Sequence, residues 1–133
     1  MSSFKRNRKA NTVQAAVIRN KDIPVSLTSW GSLQWLVSGQ TVSGTTMTLG
    51  RVTFKPGESN SSHSHPNCEE ILYVAQGTIE HSLPQGGTVC LKQGDCIVMP
   101  QGSFHNAKNI GTDETIVIVA FNSPDRKTDT DAE

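Results

Sequence analysis

Apolar residues occur along this chain in short runs, separated by turns rich in Gly, Pro, Asn and Asp. The runs are enriched in Val, Ile, Thr and aromatic residues, which is typical of β-strands, and no helical apolar period is sustained. Their spacing is close to the ~8–12 residues expected of a sandwich or barrel. The pattern predicts an all-β fold with strands over 12–18, 30–37, 45–54, 69–75, 78–83, 88–91, 95–99, 103–108 and 114–121.

The length of the chain and its two polar ends predict the domain organisation. A chain of 133 residues predicts one domain, which we assign to residues 12–121. Residues 1–11 contain Lys and Arg but little that is apolar, so we expect a flexible basic N-terminal arm. Residues 122–133 are mostly polar, and we expect a disordered C-terminal tail.

Charge and cysteine content narrow the classes of partner and compartment. Twelve Lys and Arg balance twelve Asp and Glu, so neither nucleic acid nor a membrane surface is expected as a partner. No apolar run approaches the ~18 residues of a transmembrane helix, and the N-terminus lacks the apolar stretch of a secretion signal. Cys68, Cys90 and Cys96 are odd in number, which favours reduced thiols and a cytoplasmic protein.

Residues suited to metal chemistry are concentrated in two stretches. The first reads G-x5-H-x-H-x4-E-x6-G and contains His63, His65 and Glu70. The second reads G-x5-P-x-G-x2-H-x3-N and adds His105. Three imidazoles and a carboxylate are therefore offered to one site, which suggests a metal ion.

Strand geometry indicates how these side chains can meet. Residues two apart in a strand share a face, so His63 and His65 project together. The spacing of the first stretch favours Glu70 as the carboxylate ligand, with Glu69 as the alternative. A closed barrel can bring His105 from a distant strand to the same cavity. Imidazole and carboxylate suit Fe, Mn, Ni, Zn, Cu or Co, and no thiolate set favours structural zinc, so we predict one divalent transition metal ion.

The two stretches resemble the paired signature motifs of the cupin superfamily, and every signature position is occupied. The resemblance covers residues 45–121 and implies a small jelly-roll β-barrel, also described as a double-stranded β-helix. It implies that the metal is bound by His63, His65, Glu70 and His105. It also implies a homodimer as the common form of the protein.

The resemblance identifies the fold better than the reaction, because cupins include dioxygenases, decarboxylases, isomerases, lyases and metal-free binding modules. We expect a metal-dependent enzyme that acts on a small oxygenated organic substrate. A redox-active metal favours a dioxygenase, and zinc or manganese favours an isomerase, lyase or decarboxylase. The alternative is a non-catalytic module that binds or senses a sugar or another small metabolite.

Two residues are candidates for proton transfer. His81 alternates with Ile79 and Leu83 on one face of its strand, and it is a general base if that face points into the barrel. The simpler interpretation is a histidine that is only hydrogen-bonded or exposed. Glu70 is a metal ligand that could also shuttle a proton. Arg51 could bind a substrate carboxylate from inside the barrel, but we expect it to point outward.

Overall fold

The structure is a computed structural model that describes residues 13–130. The predicted basic arm, residues 1–11, lies outside this range. Within it, no helix is long and apolar enough to span a membrane. The described chain contains one 3₁₀ helix, Asn20–Asp22, and the strands β1 Ser26–Leu27, β2 Gly31–Val37, β3 Thr48–Phe54, β4 His63–Ser64, β5 Glu70–Gln76, β6 Thr78–Ser82, β7 Thr88–Lys92, β8 Cys96–Met99, β9 Ala107–Asn109, β10 Thr115–Phe121 and β11 Asp129–Thr130.

The strands form two main antiparallel sheets and one short strand pair. The large sheet has the order β1-β2-β3-β10-β5-β8, and the small sheet has the order β7-β6-β9. Strand β10 lies between β3 and β5, with Val117 opposite Val52 on one side and Val74 on the other. The chain therefore crosses between the sheets instead of following sequence order, as in a jelly roll.

The core lies between the two sheets and follows the alternation of side chains along the strands. In β10, Val117, Val119 and Phe121 are buried, and the residues between them are only partly buried. Ile79 of β6 and Leu91 of β7 join them from the small sheet. Because every second side chain of a strand reaches the interior, the buried set alternates along the strand even where the sequence is apolar throughout. The predicted all-β jelly-roll fold is confirmed.

Two glycines of the signature stretches have conformations that other residues rarely adopt. Gly77 joins β5 to β6 with a φ of 93°, and an added Cβ would lie 2.4 Å from Oγ1 of Thr115. Gly102 has a φ of 80°, and its N–H donates to the carbonyl of His65 at 2.9 Å. Positive φ values are readily available only to glycine, so glycine at these positions allows the turns that position the signature stretches.

Two strand predictions require correction. The strand predicted over 12–18 is wrong, since residues 13–19 are irregular and Val17 is 72% exposed. A strand needs a neighbouring strand for its backbone groups, and the large sheet already ends at β1. The strand predicted over 103–108 is displaced to β9, and His105 forms an isolated bridge with His63 instead.

The expectation of a disordered C-terminal tail is wrong for residues 122–130, which we call the C-terminal segment. Strand β11 pairs with β4, and the Asn67 side chain donates to the carbonyl of Asp125 and accepts from the Lys127 N–H. The Thr48 hydroxyl also donates to the carbonyl of Ser123 at 2.7 Å. Polar composition predicted disorder because it does not report these backbone partners.

Candidate metal centre

The four side chains of the two signature stretches converge inside the barrel. One ligand atom from each of His63, His65, Glu70 and His105 lies within 4.8 Å of the other three. His63 and His105 are held side by side, because the backbone N–H of each donates to the carbonyl of the other, at 3.0 and 2.8 Å. Glu70 begins β5 and faces the same space. The fold thus brings together residues that are distant in sequence.

Each of the three imidazoles is oriented by a backbone carbonyl. Nδ1 of His63 donates to Ser61 at 2.7 Å, and Nδ1 of His105 donates to Ser103 at 2.9 Å. Nδ1 of His65 donates to Lys127 of the C-terminal segment, also at 2.9 Å. A carbonyl can only accept, so the proton must lie on Nδ1 and Nε2 is the nitrogen left for a metal. Such outer partners typically fix the tautomer of metal-binding histidines.

Glu70 carries the negative charge of the cluster. Its Oε1 lies 2.9 Å from Nε2 of His105 and 3.4 Å from Nε2 of His65. Burial by itself would raise the pKa of Glu70, but the hydrogen bond with His105 and charge interactions with both imidazoles lower the pKa to about 2. Burial likewise opposes a charged His105, yet the contact with Glu70 leaves the pKa of His105 raised. Without a metal, His105 and Glu70 therefore form an ion pair.

The donor atoms fit a metal ion better than they fit one another. Nε2 of His65 is buried and has no hydrogen-bond partner within residues 13–130, because its 3.4 Å approach to Glu70 lacks hydrogen-bond geometry. A buried, unpaired imidazole nitrogen is costly unless another group satisfies it. Burial lowers the pKa of His63, which keeps that ring neutral and able to bind a metal. Three imidazole nitrogens and one carboxylate oxygen could hold a divalent transition metal.

His81 of β6 lies beside this cluster. Its ring is nearly parallel to that of His105, with an angle of 14° and 5.6 Å between the ring centroids. Nδ1 donates to the carbonyl of Ser82 at 2.7 Å, so Nε2 is the unprotonated nitrogen of the neutral ring. Burial lowers the pKa of His81, which favours that neutral form. The face of β6 that carries His81 thus points into the barrel.

The cluster opens into a cavity of about 230 Å³ whose other walls are largely apolar and aromatic. Trp30 stacks on Phe54 with 5.0 Å between the ring centroids, and Trp35 contacts Phe121 at 6.1 Å. Both tryptophans thus form part of the cavity wall. The result is a pocket with a polar end at the histidines and an aromatic body, which is typical of small-molecule sites.

The alternation of side chains along the strands decides the directions of Glu69 and Arg51. Glu69 is exposed, so it is not the carboxylate of the cluster. Arg51 lies between Gly50 and Val52, whose side of β3 is buried, so Arg51 points outward as expected.

The sequence did not identify the C-terminal segment as part of the site. Arg126, Thr128 and Thr130 line the cavity beside the histidines. No motif marks these residues, because their place depends on the pairing of β11 with β4. The cavity is therefore closed on one side by a segment that sequence reasoning assigned to solvent.

A jelly-roll barrel that gathers three histidines and a glutamate in its interior has the architecture of a cupin. The Cupin domain family matches residues 50–121, more than half of the chain, and the protein belongs to this family.

The curated relatives have several described roles. The chain is 31% identical over 102 residues to the polyketide synthase CurC of Streptomyces cyaneus, covering 77% of this chain and 66% of CurC. It is 35% identical over 81 residues to germin-like protein subfamily 2 member 1 of Arabidopsis thaliana, covering 58% of this chain and 37% of that protein. The chain thus spans less than two thirds of both relatives.

Solved structures share the fold at lower identity. The oxalate decarboxylase of Lactobacillus farciminis, in a formate complex, has a TM-score of 0.76 and 23% identity, covering 83% of this chain and 34% of that one. The polyketide cyclase RemF of Streptomyces resistomycificus has a TM-score of 0.74 and 19% identity, covering 90% of this chain and 87% of RemF. These neighbours are cupin enzymes with different reactions, so they identify the architecture.

Proposed function

We propose that this protein is a metal-dependent enzyme that acts on a compact aromatic or polyketide-type substrate with oxygen substituents, by redox-neutral chemistry. His63, His65, Glu70 and His105 are the proposed ligands of one divalent metal ion, and His81 is the proposed general base. The observation that carries the proposal is the position of the buried His81 beside the ligand cluster, at the polar end of an aromatic cavity.

The proposed metal would supply a Lewis acid that polarises a carbonyl or hydroxyl oxygen of the substrate. The backbone carbonyls of Ser61, Ser103 and Lys127 keep the ligating nitrogens aimed at one point. A ligand set held in advance loses little free energy to reorganisation. The apolar walls limit the access of water to the reacting atoms.

His81 is suited to remove a proton from a carbon next to a carbonyl, or from a hydroxyl group. Its Nδ1 is already committed to Ser82, so Nε2 accepts the proton and the Ser82 carbonyl stabilises the charged ring. The lowered pKa of His81 keeps the base free at neutral pH. Glu70 is a weaker candidate for this role, because its contacts with His65 and His105 hold its pKa near 2.

The shape of the cavity favours an aromatic substrate over a small dianion. About 230 Å³ is slightly below the ~300–1,000 Å³ of pockets for drug-sized ligands, which suits one or two rings. Oxalate would leave the surfaces of Trp30, Trp35 and Phe54 uncovered. The similarity to CurC, described as a polyketide synthase, supports the same substrate class.

A turnover assay tests this proposal. Protein loaded separately with Mn, Fe, Co, Ni, Cu or Zn is incubated with aromatic β-keto acids, polyphenols and oxalate, with and without dioxygen, and products are identified by mass spectrometry. We expect an aromatic substrate to be converted without dioxygen, and His63→Ala to abolish conversion while the circular dichroism spectrum is unchanged. Conversion that requires dioxygen would overturn the redox-neutral part and indicate a dioxygenase. Conversion of oxalate alone would overturn the substrate class.

The second candidate is a binding module without turnover. The chain is 37% identical over 87 residues to auxin-binding protein ABP19b of Prunus persica, covering 62% of this chain and 42% of that protein. That relative is named for binding, and an aromatic cavity serves binding as well as catalysis. Tight binding of an aromatic ligand with no conversion under any metal in the assay above would favour this candidate.

We also propose that the protein is a homodimer, paired through the outer face of the large sheet. Leu49, Ile71, Tyr73 and Val98 are 36–56% exposed there and form an outer apolar patch across β3, β5 and β8. Strand β10 lies between β3 and β5 and continues the patch. Exposed apolar surface of this kind commonly marks an interface. The cytoplasm remains the proposed location, supported by free thiols at Cys90 and Cys96, which are both exposed.

A further inference from the structure

The C-terminal segment places a cation inside the aromatic cavity. Cζ of Arg126 lies 3.7 Å from the centroid of the Trp35 ring and 5.6 Å from that of Phe121. Arg126 lines the same cavity as His63, His65 and Glu70. A guanidinium that stacks on an indole lies parallel to the ring. Its N–H groups then point outward, beyond the edge of the indole, where a ligand can accept from them.

Most of the hydrogen-bonding capacity of Arg126 is unused. Its Nη1 donates to Oγ1 of Thr128 at 2.8 Å, and no carboxylate pairs with it among the residues that the structure describes. The neighbouring Asp125 is paired with Lys127 at 2.8 Å instead. A guanidinium offers five N–H donors in a fork that fits a carboxylate. An anion that enters the cavity would therefore find a free, partly desolvated partner.

The charges around the cavity also favour an anion. Glu70 is the sole acidic residue that lines it within residues 13–130, and its carboxylate already faces His65 and His105. Arg126 is thus not balanced by an acid of its own. A divalent metal at the ligand cluster would add positive charge at the other side of the same space. An anionic ligand is attracted into such a site.

We propose that Arg126 is a substrate-binding residue and that the substrate is an aromatic or polyketide-type carboxylate, whose carboxylate group binds Arg126 while its oxygenated ring reaches the metal cluster. This inference rests on the proposed function for the metal end of the cavity and adds the charge of the substrate. It also assigns a role to the C-terminal segment, which carries the specificity-determining cation. The competing role for Arg126 is purely structural: anchoring the segment by stacking on Trp35.

Matched probes separate these two roles. 2-Naphthoate and 2-naphthamide have nearly the same shape but differ in charge, and their binding to zinc-loaded protein is measured by isothermal titration calorimetry. We expect the wild type to prefer naphthoate by about tenfold or more, as a charge-assisted hydrogen bond in a partly buried site allows. Arg126→Gln should bring this preference close to one, and Arg126→Lys should retain part of it. Arg19→Gln, which removes the same charge from an exposed residue outside the cavity, should keep the wild-type preference.

The carboxylate could instead bind the metal, and metal-stripped wild type tests this. We expect the preference for naphthoate to persist without metal. A preference that disappears with the metal, or that survives in Arg126→Gln, overturns the inference, and so does a wild type that binds neither probe or shows no preference. Circular dichroism checks that the variants are folded. If Arg126→Gln does not fold, Arg126→Lys still tests the inference.

The inference and the proposed function fail in different ways. An Arg126-dependent preference for naphthoate without turnover of any substrate would refute the proposed enzymatic activity but support the carboxylate-binding site. Turnover of neutral aromatic substrates that is unaffected by Arg126→Gln would refute the carboxylate-binding site but support the proposed enzymatic activity.

Discussion

The backbone carbonyl of Lys127 accepts a hydrogen bond from Nδ1 of His65 at 2.9 Å, although the two residues are 62 positions apart in the sequence. This contact makes the C-terminal segment an outer partner of the candidate metal centre. Ser61 and Ser103 orient His63 and His105 from only two residues away, so their contacts are local. The orientation of His65 depends instead on tertiary structure.

Truncation after Arg126 tests this dependence. Loss of residues 127–133 removes the acceptor of His65 and the strand that pairs with β4. We expect the dissociation constant for zinc to rise about 10- to 100-fold, as for other outer partners of metal-binding histidines. Zinc affinity is measured by competition with a chromophoric chelator. Truncation after Thr130 keeps both contacts and should bind zinc as the full chain does. An unchanged affinity after the longer truncation would show that the segment does not support the site.

His81→Gln tests the proposed general base. We expect kcat/KM to fall about 100- to 10,000-fold, since general base catalysis typically contributes that much, while zinc content is unchanged. The wild type should lose activity on the acid side as pH falls through the lowered pKa of His81, because the protonated ring cannot accept a proton. His81→Gln should lack this acid limb. A variant that loses activity but keeps the same pH profile would indicate a structural role for His81.

Metal binding should depend on pH through His105. Its pKa is raised, so below that pKa a proton must leave Nε2 before the nitrogen can bind a metal. Glu70, with a pKa of about 2, stays ionised and requires no such step near neutral pH. We expect zinc affinity to be constant above the His105 pKa and to weaken as pH falls below it. Calorimetry in buffers of different ionisation enthalpy should detect proton release only in the lower range. Affinity that strengthens as pH falls would contradict the assigned ion pair.

That ion pair also has a pH window for the metal-free protein. Because the pKa of Glu70 is lowered, its contribution to stability is present above the ordinary value of 4.5 and is lost as pH falls towards 2. Because the pKa of His105 is raised, its contribution is present below the ordinary value of 6.5 and is lost as pH rises through the raised value. Both residues of the pair are therefore charged between the ordinary pKa of Glu70, 4.5, and the ordinary pKa of His105, 6.5.

Gly77→Ala should destabilise the fold. The new Cβ would lie 2.4 Å from Oγ1 of Thr115, at a φ of 93° that alanine rarely adopts. We expect the free energy of unfolding to fall by about 1–3 kcal/mol or more, with a melting temperature several degrees lower. Gly86→Ala is the matched control, since Gly86 has a φ of 105° but open space around an added Cβ. It should destabilise less, and equal effects would mean that the close approach to Thr115 is unimportant.

The homodimer predicts a specific sensitivity of the outer apolar patch. Ile71→Lys places a charge in its centre, beside Val98 on the next strand, and should convert the dimer to a monomer in sedimentation velocity experiments. Val17→Lys changes a residue that is 72% exposed outside the sheets and should leave the dimer intact. A monomeric wild type, or a dimer that persists in Ile71→Lys, would require a different assembly.

Much of the fold and the composition of the site could be predicted from the sequence. Runs rich in Val, Ile and Thr, such as residues 114–121, predict strands, because these side chains suit a pleated and buried surface. For Arg51 the sequence neighbours left the direction open, and the burial of Gly50 and Val52 in the structure shows that it points outward. For His81, alternation established which neighbours share its face but left open which face is buried. That question is decided by the other sheet, since β6 packs its Ile79 side against the core.

The sequence by itself predicted the candidate ligands His63, His65, Glu70 and His105, because their spacing is a local property of two short stretches. It also determined the all-β class, because strand periodicity is a local property. The tertiary structure alone decided that Lys127 orients His65 and that Arg126 enters the cavity. Both depend on the backbone pairing of β11 with β4. Because backbone N–H and C=O groups are the same in nearly every residue, the side-chain pattern does not predict which strands pair.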